Sequence, residues 1–194
     1  MLWLIAGLVL FLGLHSVRIV ADDWRGVTIA RIGEARWKGL YSLGSAIGLA
    51  LIVYGYGQAR LDPVVLWASP LWTRHLAALG VLLALVLLAA AYVPRNGLKA
   101  RLRHPMVLGV KVWALSHLVA NNTLADLLLF GGFLVWAVLD FRAARARDRV
   151  AAMPPVPGTL VGTLGAVVVG VAAWAVLAFG GHAWLFGVRP FGGG

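Results

Sequence analysis

Five histidines, His15, His75, His104, His117 and His182, are the side chains of this 194-residue sequence best suited to chemistry, because the chain contains no cysteine. Without thiols there is no disulfide, no thiolate-held cluster and no cysteine nucleophile, and imidazole is the main nitrogen ligand left for a metal or a haem iron. A lone histidine in an apolar segment needs no such role, since one backbone carbonyl satisfies its N–H. Several of them in a cysteine-free apolar chain raise the metal or haem reading. Spacing limits how they can act: His104 and His117 would stand roughly 220° apart around a helix axis and ~20 Å apart along it, so one helix cannot give both to one iron. Trp113, His117 and Asn121 recur every four residues on one face, and Lys111 shares a face with His104. Lys111 can meet a haem propionate or a lipid phosphate, or snorkel to the interface. Soluble-enzyme signals are missing: there is no GxSxG, no P-loop, no HExxH and no GxGxxG after a strand.

The elements that must position these residues are membrane helices. With 61% hydrophobic residues, 12% charged and a mean hydropathy of +0.89, the chain has more apolar surface than one soluble core of this size can hide. Apolar runs near 2–20, 40–57, 70–93, 105–120, 124–141 and 160–179 predict an all-α, polytopic transmembrane bundle of about six helices, with the fourth and fifth short and joined as a hairpin by Asn121-Asn122-Thr123. Met1 to Ile5 lacks a positive n-region, so the first run reads as a retained span. Thr123 followed by Asp126 reads as a capping box rather than a catalytic acid. Gly44 and Gly48, and Gly162, Ala166 and Gly170, read as packing seams. Asp22, Asp23 and Glu34 read as a solvated mixed-charge face in the first loop. Met153 to Gly158 is rich in proline and breaks any helix, which divides the chain into a five-helix membrane domain, 1–150, and a segment 151–194 holding the linker, a sixth helix and a short mobile tail from Pro190.

The net charge of +10 reports topology rather than nucleic-acid binding, because the cations fall in clusters between apolar runs. One side holds Arg18, Arg25, Arg31, Arg36, Lys38, Arg95, Lys99, Arg101, Arg103, Arg142, Arg145, Arg147 and Arg149, and the other holds Arg60, Arg74 and Arg189. Basic loops are retained inside, so this count places a multi-pass protein in a bacterial-type inner membrane with both termini on the non-cytoplasmic side. Trp24, Trp37, Trp67, Trp72 and Trp184 lie near span ends as interfacial anchors.

Gly13-Leu14-His15-Ser16-Val17-Arg18, then Arg103-His104-Pro105-Met106 and Gly109, then Lys111-Val112-Trp113-Ala114-Leu115-Ser116-His117-Leu118-Val119-Ala120-Asn121 resemble the NnrU family, over roughly Met1 to Phe141. The resemblance implies a link to nitric oxide and denitrification metabolism, and a likeness to 15-cis-zeta-carotene isomerase, a membrane enzyme that uses haem b. On that likeness His15 and His117 match the isomerase's haem ligands, and Arg103, His104 and Pro105 match its Arg-His-Pro. The implied cofactor is haem b with His15 and His117 as the metal ligands, His75 with His117 as the competing pair, and Arg18 or Lys111 near the propionates. The chain is much shorter than the isomerase and lacks the paired histidines of its next helix, so the implied chemistry is redox sensing, gas-linked chemistry or isomerisation of a lipophilic substrate. A haem-free role in membrane assembly or regulation, and self-association, stay open. Arg-His-Pro is also similar to a motif of membrane methyltransferases that bind S-adenosylmethionine, but Val107 and Leu108 replace the expected tyrosine and its neighbour, and the paired acids are missing.

Overall fold

The computed structural model describes residues 1–152 and 157–191. Met153 to Val156, most of the proline-rich break, and the last residues of the tail lie outside them. The described chain is helical: α1 (Leu2–Val20), α2 (Asp22–Ile32), α3 (Glu34–Ala59), α4 (Trp72–Tyr92), α5 (Gly97–Leu102), α6 (Pro105–Ala120), α7 (Leu124–Val150), α8 (Leu160–Val176), a π-helical turn (Leu177–Gly181) and α9 (His182–Phe186). Among these residues the only β pairing is two isolated bridges, Val65 with Thr123 and Asn96 with Thr159.

Five helical stretches, α1, α3, α4, α7 and the one from α8 through α9, are long and apolar enough to cross a membrane, and α6 is a sixth apolar helix of 16 residues. All six predicted spans are therefore helices, and the second, fifth and sixth run longer than predicted. The fifth does not stop near Phe141 but continues to Val150, because Arg142 to Val150 is rich in Ala and Arg, strong helix formers that need no buried face. The first basic loop is itself helical: α2 buries no residue and so shows no apolar periodicity. Its acids are solvated as expected, with Asp22 facing Arg25 at 3.4 Å, while at the start of α3 Glu34 faces Lys38 at 2.7 Å.

Packing runs as an arc in the order α3, α1, α7, α6, α4, α8. Small residues set the close approaches, since association between lipid-solvated helices depends on backbone proximity and packing. Both expected seams are present. A Cβ on Gly48 would meet the Phe11 backbone nitrogen at 2.9 Å, and one on Gly44 would meet Leu14 Cδ1 at 2.7 Å, so that motif fits α3 to α1. A Cβ on Gly170 would meet Val86 Cα at 2.5 Å, and Ala166 is fully buried beside it, fitting α8 to α4. Leu4, Leu8, Ile52, Leu129 and Phe130 form the central cluster at the meeting of α1, α3 and α7.

Two local motifs fix the ends. The Thr123 hydroxyl accepts from Asp126 N while Asp126 Oδ2 accepts from Thr123 N, the expected capping box, and the Tyr56 hydroxyl donates to the other carboxylate oxygen. Asn96, 1% exposed, caps α5 through Lys99 N and donates to the carbonyls of Ala90 and Val93, which turns the chain sharply after α4.

A cationic cleft and a buried imidazole: the candidate functional site

At the cationic end α1, α2 and α3 diverge from α5 and the start of α6, with α7 between them, and leave a cleft of about 880 Å³. Its basic lining is Arg18, Arg25, Lys38, Lys99, Arg103 and Arg147, against Glu34, Asp140 and Asp148. Part of that charge is neutralised internally: Asp148 Oδ2 lies 2.9 Å from His104 Nε2 and 3.7 Å from Arg103, and Asp140 lies 3.8 Å from Arg147. Arg147 also donates to the Arg18 carbonyl, tying α7 to the end of α1. The surplus is positive, so the cleft suits an amphiphile with an anionic end.

His15 enters this cleft from the last turns of α1. Its Nδ1 lies 2.7 Å from the Phe11 carbonyl one turn back; a carbonyl can only accept, so Nδ1 carries a proton, and in the neutral ring the lone pair is on Nε2. That is the arrangement a metal-bound imidazole needs, with one nitrogen fixed by a backbone acceptor and the other free to ligate. The ring stacks on Phe11 at 4.1 Å, with Tyr41 at 5.2 Å and Trp136 edge-on at 5.9 Å.

His117 repeats the pattern on α6, Nδ1 donating to the Trp113 carbonyl at 2.9 Å, with its ring stacked on Phe130 at 4.6 Å. It lies deeper than His15: one ring meets Trp136 of α7 and the other Phe130, six residues apart, roughly 9 Å along that helix at ~1.5 Å per residue. Between them runs a continuous series of rings, Phe11 to Phe133 at 5.8 Å, Phe133 to Trp113 at 5.5 Å and Trp113 to His117 at 5.2 Å. The two histidines thus border one aromatic core, and of the two only His15 lines the cleft.

The other candidates are dispersed. His104 lines the cleft but is held by Asp148, with its ring edge toward Phe141. Lys111 sits with its ammonium 5.1 Å from the centre of the Phe141 ring. His75 is exposed and stacks on Phe191, and His182 donates from Nδ1 to the Val188 carbonyl, both at the far end. Among the described residues no three His, Asp or Glu side chains converge as a metal-ion site. Sequence reasoning did not single out Tyr41, Trp136, Asp140 or Asp148. The two acids are buried in a cationic run, and the two aromatics resemble any residue of an apolar face.

The family model of the NnrU protein matches residues 3–190. This chain belongs to the NnrU family. The match extends past Phe141, where the resemblance was expected to end, and takes in α8, so the last membrane helix is part of the NnrU pattern. The cleft, its histidines and the aromatic core all lie inside the NnrU match. No curated protein and no solved structure matches the chain.

Proposed function

We propose that this NnrU-family membrane protein is a multi-pass inner-membrane haem protein. It holds haem b at the cationic cleft through His15 Nε2. The observation that carries this reading is the His15 imidazole, with Nδ1 committed to the Phe11 carbonyl and its free nitrogen in a cleft with surplus positive charge. Arg18 and Lys99 would pair with the propionates, and Tyr41 and Trp136 would flank the ring. When bound, haem would supply gas-binding and one-electron chemistry, consistent with nitric oxide metabolism or with the chemistry of a lipophilic isoprenoid. His117 would be the second residue to hold the haem on this reading. Its tautomer matches that of His15, and reaching a shared iron requires the rings of Phe11, Phe133 and Trp113 to leave the path between them.

That packed aromatic path favours a second reading, a haem-free assembly or regulatory protein in which both histidines are structural. Visible spectra of protein purified from haem-replete membranes separate the two. Haem binding gives a Soret band in the wild type that weakens or shifts in His15→Ala and in His117→Ala, and is unchanged in His75→Ala and His182→Ala. Absence of the band in the wild type removes the haem reading. Methyl transfer ranks below both, because His104 and Arg103 are engaged with Asp148, and saturable S-adenosylmethionine binding lost in His104→Ala would reverse that order.

A further inference from the structure

The connection between α3 and α4, residues 61–71, lies at the far end of the molecule from the cleft. Its sequence, Leu-Asp-Pro-Val-Val-Leu-Trp-Ala-Ser-Pro-Leu, has Asp62 as its one charged residue. The apolar side chains are not tucked under the protein: Leu61, Val64, Val65, Leu66, Trp67 and Leu71 are all exposed. A water-facing loop of this composition would be costly, and the lengths of the helices beside it suggest where it lies instead.

The 16 residues of α6 rise roughly 24 Å, against a hydrocarbon core of ~30 Å. α7, which packs against α6, and α1 on its other side repeat that length from the cationic end, with sixteen residue steps, about 24 Å, from Leu124 to Asp140 and from Leu2 to Arg18, whereas α4, on the other flank of α6, has 21 residues. Measured from the ionisable groups of the cationic end, the centre of the bundle stops about 6 Å short of the opposite lipid boundary. On that measure the Asn121–Thr123 turn would lie at acyl-chain depth, where each unsatisfied backbone group costs several kcal/mol. Segment 61–71 supplies the partners. Leu66 N donates to the Asn122 carbonyl at 2.8 Å, Leu124 N donates to the Val64 carbonyl at 2.9 Å, and Asn122 Nδ2 donates to the Trp67 carbonyl at 2.7 Å.

We propose that residues 61–71 form a lipid-embedded cap over the thin centre of the bundle. Their backbone seals the α6–α7 turn, and the side chains of Val64, Val65, Leu66 and Trp67 lie among the lipids of the far leaflet. The bilayer is the partner, and the cap fills a gap that the short helices would otherwise close by thinning the membrane.

The absence of native cysteine makes the test direct. Val65→Cys carries a nitroxide in the full chain in phosphatidylcholine and phosphatidylglycerol vesicles, and collision rates with oxygen and with a water-soluble nickel chelate are compared. Val168→Cys on the exposed face of α8 serves as the lipid reference, and Val150→Cys at the end of α7 as the water reference. The expected result is an oxygen-to-nickel ratio close to that at 168 and several-fold above that at 150. A ratio matching 150 overturns the cap. Val64→Cys provides the same reading if Val65→Cys does not assemble.

Discussion

Gly7 of α1 lies directly against the backbone of α3: a Cβ at this position would fall 2.6 Å from the nitrogen of Ile52 and 2.9 Å from the carbonyl oxygen of Gly48. The obstacle is main chain, so no rotamer can relieve it. Gly7→Val should force α1 and α3 apart, at a cost of about 3 kcal/mol or more, at the upper end of overpacking. Gly57→Ala, with nothing within 4 Å of its Cβ, should be near neutral or slightly stabilising. Unfolding in mixed micelles checks both, and equal stability for the two variants would refute the seam.

Asn96 makes three hydrogen bonds from a fully buried position and caps α5. Asn96→Ala removes the cap and strands the Ala90 and Val93 carbonyls, which should cost about 2–4 kcal/mol. Thr28→Ala, which loses one exposed bond to the Trp24 carbonyl on α2, should cost less than about 1 kcal/mol. Thermal unfolding midpoints of the two variants should differ clearly in that order.

Thirteen cations flank one set of helix ends and three the other, which predicts a cytoplasmic cleft with both termini across the membrane. Periplasm-active reporters fused at the C-terminus should be active, and those inserted after Leu102 or Arg149 silent. The opposite pattern would invert the orientation and move the His15 cleft to the other compartment.

What could be read from the sequence was mostly what depends on neighbours in the chain. The Thr123 and Asp126 capping box, the Gly44 and Gly48 seam and the tight hairpin after Ala120 each involve residues within a turn or two of one another, so their spacing carries the information. α2 was missed because it buries nothing and has no periodicity to find. The cleft was missed because it depends on which helices separate at one end, and Asp140 and Asp148 acquire meaning only opposite Arg147 and His104. His15 and His117 were singled out by type and by resemblance, but the rings that separate them come from α1, α6 and α7 and could not be ordered from the sequence.

The arc of helices is not in chain order, and this bears on how the protein is made. The α1–α3 pair is complete once the ribosome has delivered the first 59 residues, yet the opposite side of α1, where Leu8 and Leu12 will meet Gly132, has no protein partner until α7 emerges. The nascent chain must hold that surface open while α4, α5 and α6 are inserted. Acyl chains can cover it meanwhile at little cost, since lipid is as apolar as the leucines it touches. The entry of α7 thus displaces lipid from the groove on α1 before α8 is added, and the aromatic core around His15 and His117 is built in that exchange.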